Sequence, residues 1–240
     1  MQSRSRRRTR RQSRRRTRRR LRRQRGGRRT ASGISGCTLI PGLEAGKVTK
    51  VFFKKSDFEA EMAALSIAEE ADPGHLFTVR GVPDRVDIDA ATMALCGAVH
   101  FNRNNSSKYY VIHYDDAGVT PSEMAPADRA SLLCPLVTLF RHVCEMNKRG
   151  YMHGDITPAN IAFKDGTFRL IDYGLMRRHE GEKTDKLDMW AIRGFLIEFL
   201  RNTSIDKSVV VSIPLIWDGG PGVAELITIV EAALDVLCPK

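Results

Sequence analysis

Two carboxylates and one amide lie close together in the segment that runs from Tyr151 to Leu175. Asp155 and Asn160 are five residues apart, and Asp172 follows as the first residue of Asp172-Tyr173-Gly174. One carboxylate can orient a hydroxyl, while the amide and the second carboxylate can hold Mg²⁺, which takes few protein oxygens alongside phosphate oxygens. Phosphoryl transfer asks little more of a protein than positioning and charge neutralisation. The spacing therefore indicates phosphotransfer, and an ordinary surface loop of Asp and Asn turn residues is the alternative.

A helix, a hairpin and a second helix are predicted to position these groups. Ala127–Lys148 carries a helical apolar stripe, although Pro135 interrupts its first turns. Short strands at Ile161–Phe163 and Phe168–Ile171 flank a turn. Leu187–Leu200 is largely apolar, which predicts a buried helix.

The first half of the chain predicts a strand-rich region. Lys47–Phe53 is β-branched and aromatic, and Leu76–Val82 and Lys108–His113 predict two further strands. Phe58–Ala68 fits an amphipathic helix, and Tyr114–Gly118 predicts a linker. We therefore expect an α+β protein with a small β-rich lobe, a larger helical lobe and a cleft between them.

The order of these motifs resembles the catalytic core of the protein kinase superfamily, where H-R-D-x-x-x-x-N and D-F-G recur after a long helix. Here they are His153 to Asn160 and Asp172-Tyr173-Gly174. Among kinases, the chain is most similar to small kinases of large DNA viruses and next to the small kinase of the tRNA-threonylcarbamoylation complex. The resemblance implies a two-lobed protein-kinase-like fold with a β-rich N-lobe and a truncated helical C-lobe. The expected boundaries are 1–29 for an Arg-rich tail, 30–116 for the N-lobe and 117–240 for the C-lobe.

The resemblance also implies a role for each residue of the motifs. Asp155 would be the catalytic base that accepts the proton of the substrate hydroxyl, and Asn160 and Asp172 would bind Mg²⁺ and, through it, ATP. His153 would pack beside the magnesium loop rather than shuttle a proton. Asp188 would brace the backbone of the catalytic loop, with a carboxylate at the start of a helix as its alternative.

The strand-rich half is expected to supply a lysine for the nucleotide. Lys50, in the strand Val48-Thr49-Lys50-Val51, resembles the lysine that grips the α- and β-phosphates of ATP. Its partner is expected on the next helix, with Glu61 as the first candidate and Glu59 as the second.

A glycine-rich loop is the least specific part of the resemblance. Gly33 and Gly36, in Gly33-Ile34-Ser35-Gly36, resemble part of a loop whose N–H groups approach phosphate, since glycine removes the side-chain obstruction. Gly42–Gly46 could serve instead, and a plain turn is the alternative for both segments.

Three departures from the family pattern bear on regulation. Gly154 replaces the arginine that usually precedes the catalytic aspartate and pairs with a phosphorylated loop. Asp172 and Asp188 are sixteen positions apart, and no A-P-E lies between them. Thr157 stands where many Ser/Thr kinases carry a lysine. We therefore expect activity as synthesised, with any autophosphorylation in the Arg-rich tail rather than near Thr184.

The positive charge of the chain belongs to its first residues. The net charge is +11, but residues 1–30 hold 17 of the 39 basic residues and no acidic ones. The remaining 210 residues therefore carry 22 basic and 28 acidic groups, a balance of −6. So dense a block of like charge predicts a disordered tail over 1–29 that binds nucleic acid or another polyanion, or directs nuclear import. A solvated tail is the alternative.

Composition excludes several other classes of protein. A hydrophobic content of 42% is enough for a buried core. No apolar run approaches the roughly 18 residues of a membrane span, so no membrane partner is expected. The five cysteines form no C-x-x-C pair, so we expect neither a disulfide framework nor a zinc finger. This favours an intracellular location, in the nucleus or packaged in a virion.

Three functions are consistent with the sequence. The first is a constitutively active Ser/Thr protein kinase that uses ATP and Mg²⁺ and acts on the hydroxyl of a protein substrate. The second is a catalytically weak or inactive scaffold on a kinase fold, bound to nucleic acid. The third is a small-molecule kinase, since aminoglycoside and choline kinases share the H-x-D-x-x-x-x-N loop.

Overall fold

The fold is mixed α+β, as the sequence predicts, and is given by a computed structural model. The structure describes residues 29–32, 36–96, 108–124, 129–179, 186–201, 203, 205–214 and 221–239. The predictions for residues 1–28, Gly33 and Thr184 lie outside these ranges. Among the described helices, none is long and apolar enough to cross a membrane.

Five antiparallel strands form the main sheet, in the order β1-β2-β3-β5-β4. The strands are β1 (Arg29–Ser32), β2 (Gly36–Ile40), β3 (Lys47–Phe52), β4 (Gly81–Val86) and β5 (Tyr109–Asp115). Lys50 lies in the middle of β3, opposite Thr38 of β2 and Ile112 of β5. Because side chains alternate along a strand, Lys50 and Phe52 point to the face opposite that of Val51.

Helices cover the two faces of this sheet. Helix α1 (Lys55–Ala71) packs through Leu65 and Ala68 against the face that carries Phe52 and Ile112. The short helix α2 (Ala90–Ala94) covers the other face, where Met93 joins a small buried cluster with Cys37, Leu39 and Val51.

The predicted strand at Leu76–Val82 is wrong in its first half. The buried Asp72 carboxylate accepts hydrogen bonds from the N–H groups of Leu76, Phe77 and Thr78 at 2.9–3.0 Å. These amides are therefore unavailable to a sheet, and β4 begins only at Gly81.

The second half of the chain is mostly helical. A 3₁₀ turn (Pro121–Glu123) leads to α3 (Leu133–Lys148), α4 (Leu187–Phe199), α5 (Ser208–Val211) and α6 (Val223–Leu237). Between α3 and α4 lie two small antiparallel pairs, β6 (Tyr151–Met152) with β9 (Arg177–Arg178) and β7 (Ile161–Lys164) with β8 (Thr167–Leu170). Helix α3 begins at Leu133 rather than Ala127, because Pro135 is tolerated only in a first turn, where its missing N–H costs nothing.

The expectation of no disulfide is wrong. Cys37 is bonded to Cys96, which joins β2 to the end of α2, and Cys134 is bonded to Cys238, which joins the start of α3 to the end of α6. The paired residues are 59 and 104 positions apart, so no local spacing of cysteines in the sequence predicts these two disulfides. Cys144 is free, and burial raises the pKa of its thiol to about 12. The cysteines therefore no longer support a reducing compartment. The intracellular location stays a prediction.

Candidate active site

Lys50 is held between two carboxylates. Its Nζ lies 2.9 Å from Oε1 of Glu61 and 2.9 Å from Oδ1 of Asp172. The side chains of Lys50 and Glu61 are 14% and 6% exposed, whereas that of Asp172 is 53% exposed. The structure thus brings together three residues that are far apart in sequence, with Asp172 on the solvent side.

Burial and charge act in opposite directions on the Lys50 amine. Burial lowers the pKa of Lys50, but the negative charges of Glu61 and then Asp172, with their hydrogen bonds, outweigh it. The pKa of Lys50 therefore lies above its ordinary value, and the amine is a permanent cation at neutral pH.

Of the two candidate partners for Lys50, the structure places Glu61 beside it. The Tyr114 hydroxyl donates a hydrogen bond of 2.9 Å to Oε1 of Glu61, which holds the carboxylate toward the sheet. Glu59 lies on the exposed side of α1 and pairs at 2.7 Å with Lys55, four residues earlier. The turn of the helix separates the two glutamates, since side chains two positions apart face in different directions.

A second group of contacts organises the loop between β6 and β7. The Asn160 side chain donates hydrogen bonds to Oδ2 of Asp155 at 2.6 Å and to the Asp155 backbone oxygen at 3.1 Å. The Asn160 carbonyl accepts a bond of 2.9 Å from Ile171 N, next to Asp172. The loop and the end of β8 are therefore tied side by side, which places Asp155, Asn160 and Asp172 in one neighbourhood.

The Asp188 carboxylate anchors the backbone of this loop. Its carboxylate is fully buried and accepts hydrogen bonds from His153 N at 2.7 Å, Gly154 N at 2.8 Å and the Asn147 side chain at 3.1 Å. It makes no capping bond at the start of α4. The predicted bracing contacts are present, and Asp188 also lies in the first turn of α4, as the alternative described it.

The glycine at position 154 has a structural reason. Gly154 has φ of +82°, and a Cβ atom there would lie 2.8 Å from the Leu175 backbone oxygen. A side chain is excluded by close approach of backbone to backbone and is strained by the positive φ. Position 154 therefore cannot present a cation toward the segment that follows Leu175.

Asp172 itself has an unusual backbone conformation. Its φ is +62°, which costs a non-glycine residue energy and persists only where the surroundings hold it. The neighbouring Tyr173 is fully buried and hydrogen-bonded through its hydroxyl, which anchors this segment. Backbone strain of this kind is common at functional sites, where it fixes the direction of a side chain.

His153 is a packing residue, as predicted. It is fully buried, and its ring meets that of Tyr173 edge to face with centroids 6.0 Å apart. Its Nδ1 accepts a hydrogen bond of 3.3 Å from Asp155 N. Burial lowers the pKa of His153 more than the nearby Asp188 and Asp155 raise it, so the ring is neutral at pH 7.

Gly36 and the Gly42–Gly46 segment lie at opposite ends of β2. Gly36 is within the strand, opposite Phe52, and a Cβ there would lie 2.2 Å from the Val51 oxygen. The Gly42–Gly46 segment is the tight turn into β3, closed by a bond of 2.7 Å from Gly42 N to Lys47 O. Close packing and turn geometry thus account for these glycines without a ligand.

The donor set suits Mg²⁺. Among the described residues, no group of three or more His, Cys, Asp or Glu side chains could hold a metal ion. Mg²⁺ needs fewer, because it keeps several waters and takes one or two carboxylates with phosphate oxygens. The amide nitrogen of Asn160 is used by Asp155, which leaves its oxygen as an acceptor, and Oδ2 of Asp172 has no hydrogen bond to the described residues. Both are hard oxygen donors, so the residues fit the ion.

Sequence reasoning missed two contributors to the site. Tyr114 was expected in a linker but lies in β5, where it orients Glu61. Asn147, on α3, joins Asp188 to the loop. Each contact spans more than forty residues, and neither residue type stands out locally, so the sequence held no signal for them.

Comparison with known proteins adds no identification. No protein-family model matches the chain, and no curated protein matches it significantly.

Proposed function

We propose that this protein is an ATP-dependent phosphotransferase of the protein kinase type, which transfers the γ-phosphate to a Ser or Thr hydroxyl of a protein. The proposal includes a two-lobed kinase-like arrangement, with the sheet and α1 as the small lobe. The observation that carries it is the joint contact of Lys50 with Glu61 and Asp172. It links three residues that the motif order singles out from different parts of the chain.

Each residue has a distinct task in this proposal. Glu61 holds Lys50 extended, so that its ammonium meets phosphate oxygens of ATP without first having to be ordered. The Asn160 side chain donates a hydrogen bond to Oδ2 of Asp155, which leaves Oδ1 to accept the proton of the attacking hydroxyl. Asp188 fixes the loop through two backbone bonds, so the base does not drift from the nucleophile.

Asn160 and Asp172 would hold Mg²⁺, and when bound the ion neutralises charge on the phosphate oxygens and orients them. Asp172 is the more exposed of the two carboxylates that contact Lys50, as a residue that meets a ligand from solvent must be. An inactive scaffold would need none of these arrangements, since the fold could be packed with apolar residues instead.

The test compares two aspartate variants with a matched control. Asp155→Asn should lower phosphotransfer by about 10²–10⁴-fold, the contribution of a general base, and leave MgATP affinity nearly intact. Asp172→Asn should lower MgATP affinity itself, because it removes a carboxylate from the ion. Asp165→Asn is the control: Asp165 is exposed in the β7–β8 turn with φ of +52°, which asparagine tolerates.

The measurements are calorimetric binding of MgATP and transfer of labelled phosphate to a mixture of Ser- and Thr-containing proteins. Wild-type protein that neither binds MgATP nor labels any acceptor would overturn the proposal in favour of a scaffold. Labelling confined to small hydroxyl compounds would show that the acceptor is a small molecule and not a Ser or Thr of a protein.

A further inference from the structure

A groove of about 400 Å³ opens beside Asp155. One wall is the loop from Gly154 to Pro158, and the other is a face of helix α4. Lys50, Glu61 and Asp172 do not line this groove. It therefore reaches the proposed base from a side other than that of the proposed nucleotide contacts.

The helical wall presents an aromatic ring and a carboxylate. Trp190, Gly194 and Glu198 line the groove and are spaced four residues apart, so they lie on one stripe of α4. Trp190 is 49% exposed, although its neighbours Met189 and Ile192 are fully buried. A Cβ atom added to Gly194 would meet nothing within 4 Å, so the middle of the stripe is open.

The charge of the groove is negative. Its ionisable lining residues are Asp155 and Glu198, and no Lys, Arg or His lines it among the described residues. Glu198 pairs at 3.1 Å with Arg201, but both side chains are more than half exposed, and such pairs contribute little. The Glu198 carboxylate can therefore exchange this partner for another cation at little cost.

Arginine suits this groove, because its helical wall offers an exposed indole and, eight residues later, a carboxylate. The guanidinium stacks on aromatic faces and forms forked hydrogen bonds with carboxylates, which lysine does less well. A peptide that places arginine between Trp190 and Glu198 would bring a neighbouring residue toward Asp155. The groove thus selects a hydroxyl residue flanked by arginine.

The first 28 residues of the chain have this composition. They contain 16 arginines and no acidic residue, and Thr9, Ser13 and Thr17 each have arginine as a direct neighbour. The remaining chain is acidic overall, as its charge balance shows. The tail therefore matches the groove in charge, and each of these hydroxyl residues has an arginine beside it.

The tail is also long enough to reach the groove. Thr17 lies twelve positions before Arg29, where β1 begins, and an extended chain of that length spans up to about 40 Å. Thr9 lies twenty positions before Arg29, a span of up to about 70 Å, which is about half the circumference of a body of about 210 residues with a radius of gyration of about 17 Å. Tethering would raise the local concentration of the tail to roughly millimolar.

We propose that the Arg-rich tail is a substrate of its own chain: the groove between the Asp155 loop and α4 binds it, and Thr9, Ser13 and Thr17 are phosphorylated there. This rests on the proposed phosphotransfer. The hydroxyl oxygen forms a bond to the γ-phosphorus of ATP, the bond from that phosphorus to the β–γ bridging oxygen breaks, ADP leaves, and Asp155 takes the hydroxyl proton. Each phosphate removes about 1.5–2 units of positive charge from the tail.

The first experiment uses the full chain with MgATP and maps phosphates by mass spectrometry. We expect labelling of Thr9, Ser13 or Thr17 at a rate per molecule that does not depend on protein concentration. Gly194→Leu, which adds a side chain where a Cβ atom meets nothing within 4 Å, and Glu198→Gln should each slow tail labelling at least tenfold. Glu225→Gln, an exposed glutamate in the first turn of α6, is the matched control and should label at the wild-type rate.

Several results would overturn the inference. Phosphate on added proteins but none on the tail would refute it while leaving the proposed function intact. If the rate of labelling per molecule rises in proportion to protein concentration, each tail is phosphorylated by a neighbouring molecule, which would overturn the inference. Unchanged labelling in both groove variants would place the tail elsewhere. MgATP affinity of each variant, measured in parallel, shows whether the nucleotide site is preserved.

A second experiment measures whether the tail covers the groove, without any phosphotransfer. In the full chain with Trp217→Phe, kept free of ATP, Trp190 is the sole tryptophan, and its quenching by acrylamide reports the access of solvent to the groove. Raising NaCl from about 20 mM to about 500 mM should increase quenching, because salt screens the attraction that holds the tail. Quenching that is independent of salt would overturn the inference, even if the enzyme phosphorylates other proteins.

Discussion

The hydroxyl of Tyr173 receives a hydrogen bond of 2.6 Å from the backbone N–H of Val79, 94 residues earlier. The same hydroxyl donates a bond of 2.9 Å to the Leu170 carbonyl. Tyr173 therefore joins the segment between α1 and β4 to the end of β8. Since it follows Asp172 directly, these two bonds also hold the carboxylate that contacts Lys50.

Removal of this hydroxyl is expected to cost stability and to loosen the site. Tyr173→Phe leaves the buried Val79 N–H and the Leu170 carbonyl without this partner, which should lower the free energy of unfolding by about 1–3 kcal/mol. The measurement is urea denaturation, together with MgATP affinity, which should fall as Asp172 loses its anchor. Tyr151→Phe is the control, because the Tyr151 hydroxyl makes no hydrogen bond to the described residues. Equal losses in the two variants would contradict the assignment.

Neutralising each of the two glutamates of α1 should give unequal results. Glu61→Gln removes the buried charge that keeps Lys50 extended, so phosphotransfer should fall tenfold or more. Glu59→Gln breaks only an exposed pair with Lys55, and such helix pairs contribute about 0.3–0.5 kcal/mol, so activity should change less than twofold. Steady-state assays of both variants provide the comparison, and a similar loss in the two would refute Glu61 as the partner of Lys50.

His153 is expected to make stability depend on pH on the acid side of neutrality. Burial lowers its pKa in the folded protein, whereas the unfolded chain has a value of about 6.5. Below about pH 6.5 the unfolded state therefore binds a proton that the folded state refuses, and stability falls as the pH drops. His153→Gln should flatten this part of the curve of unfolding free energy against pH. An unchanged slope in the variant would show that other groups cause it.

The Arg-rich tail is expected to bind nucleic acid through charge alone. Affinity for duplex DNA should fall steeply as salt rises, with little preference for sequence, because binding releases counterions from phosphate. Deletion of residues 1–28 leaves every described strand and helix in the chain, the first of which begins at Arg29, and should abolish this binding. Filter binding at several salt concentrations tests both points. A truncated protein with the same salt slope would show that the folded part binds DNA.

The sequence by itself was enough for the features that depend on near neighbours. The apolar stripe of α3, the apolar run of α4 and the β-branched run of β3 predicted these elements, because such patterns are local properties, although α3 begins six residues later than predicted. The α+β class followed from their order. The strand expected at Leu76 failed because the Asp72 carboxylate, four residues earlier, competes for its amides, and strand propensity takes no account of such bonds.

Only the tertiary structure decided which distant residues meet. Glu61 and Glu59 have the same chemistry, and the rotation of α1 against the sheet alone puts Glu61 beside Lys50. The same holds for the disulfide between Cys134 and Cys238, and for the backbone approach of Leu175 that requires glycine at 154. Such contacts arise when whole elements pack to bury their apolar faces, so their partners are set by the fold and not by spacing along the chain.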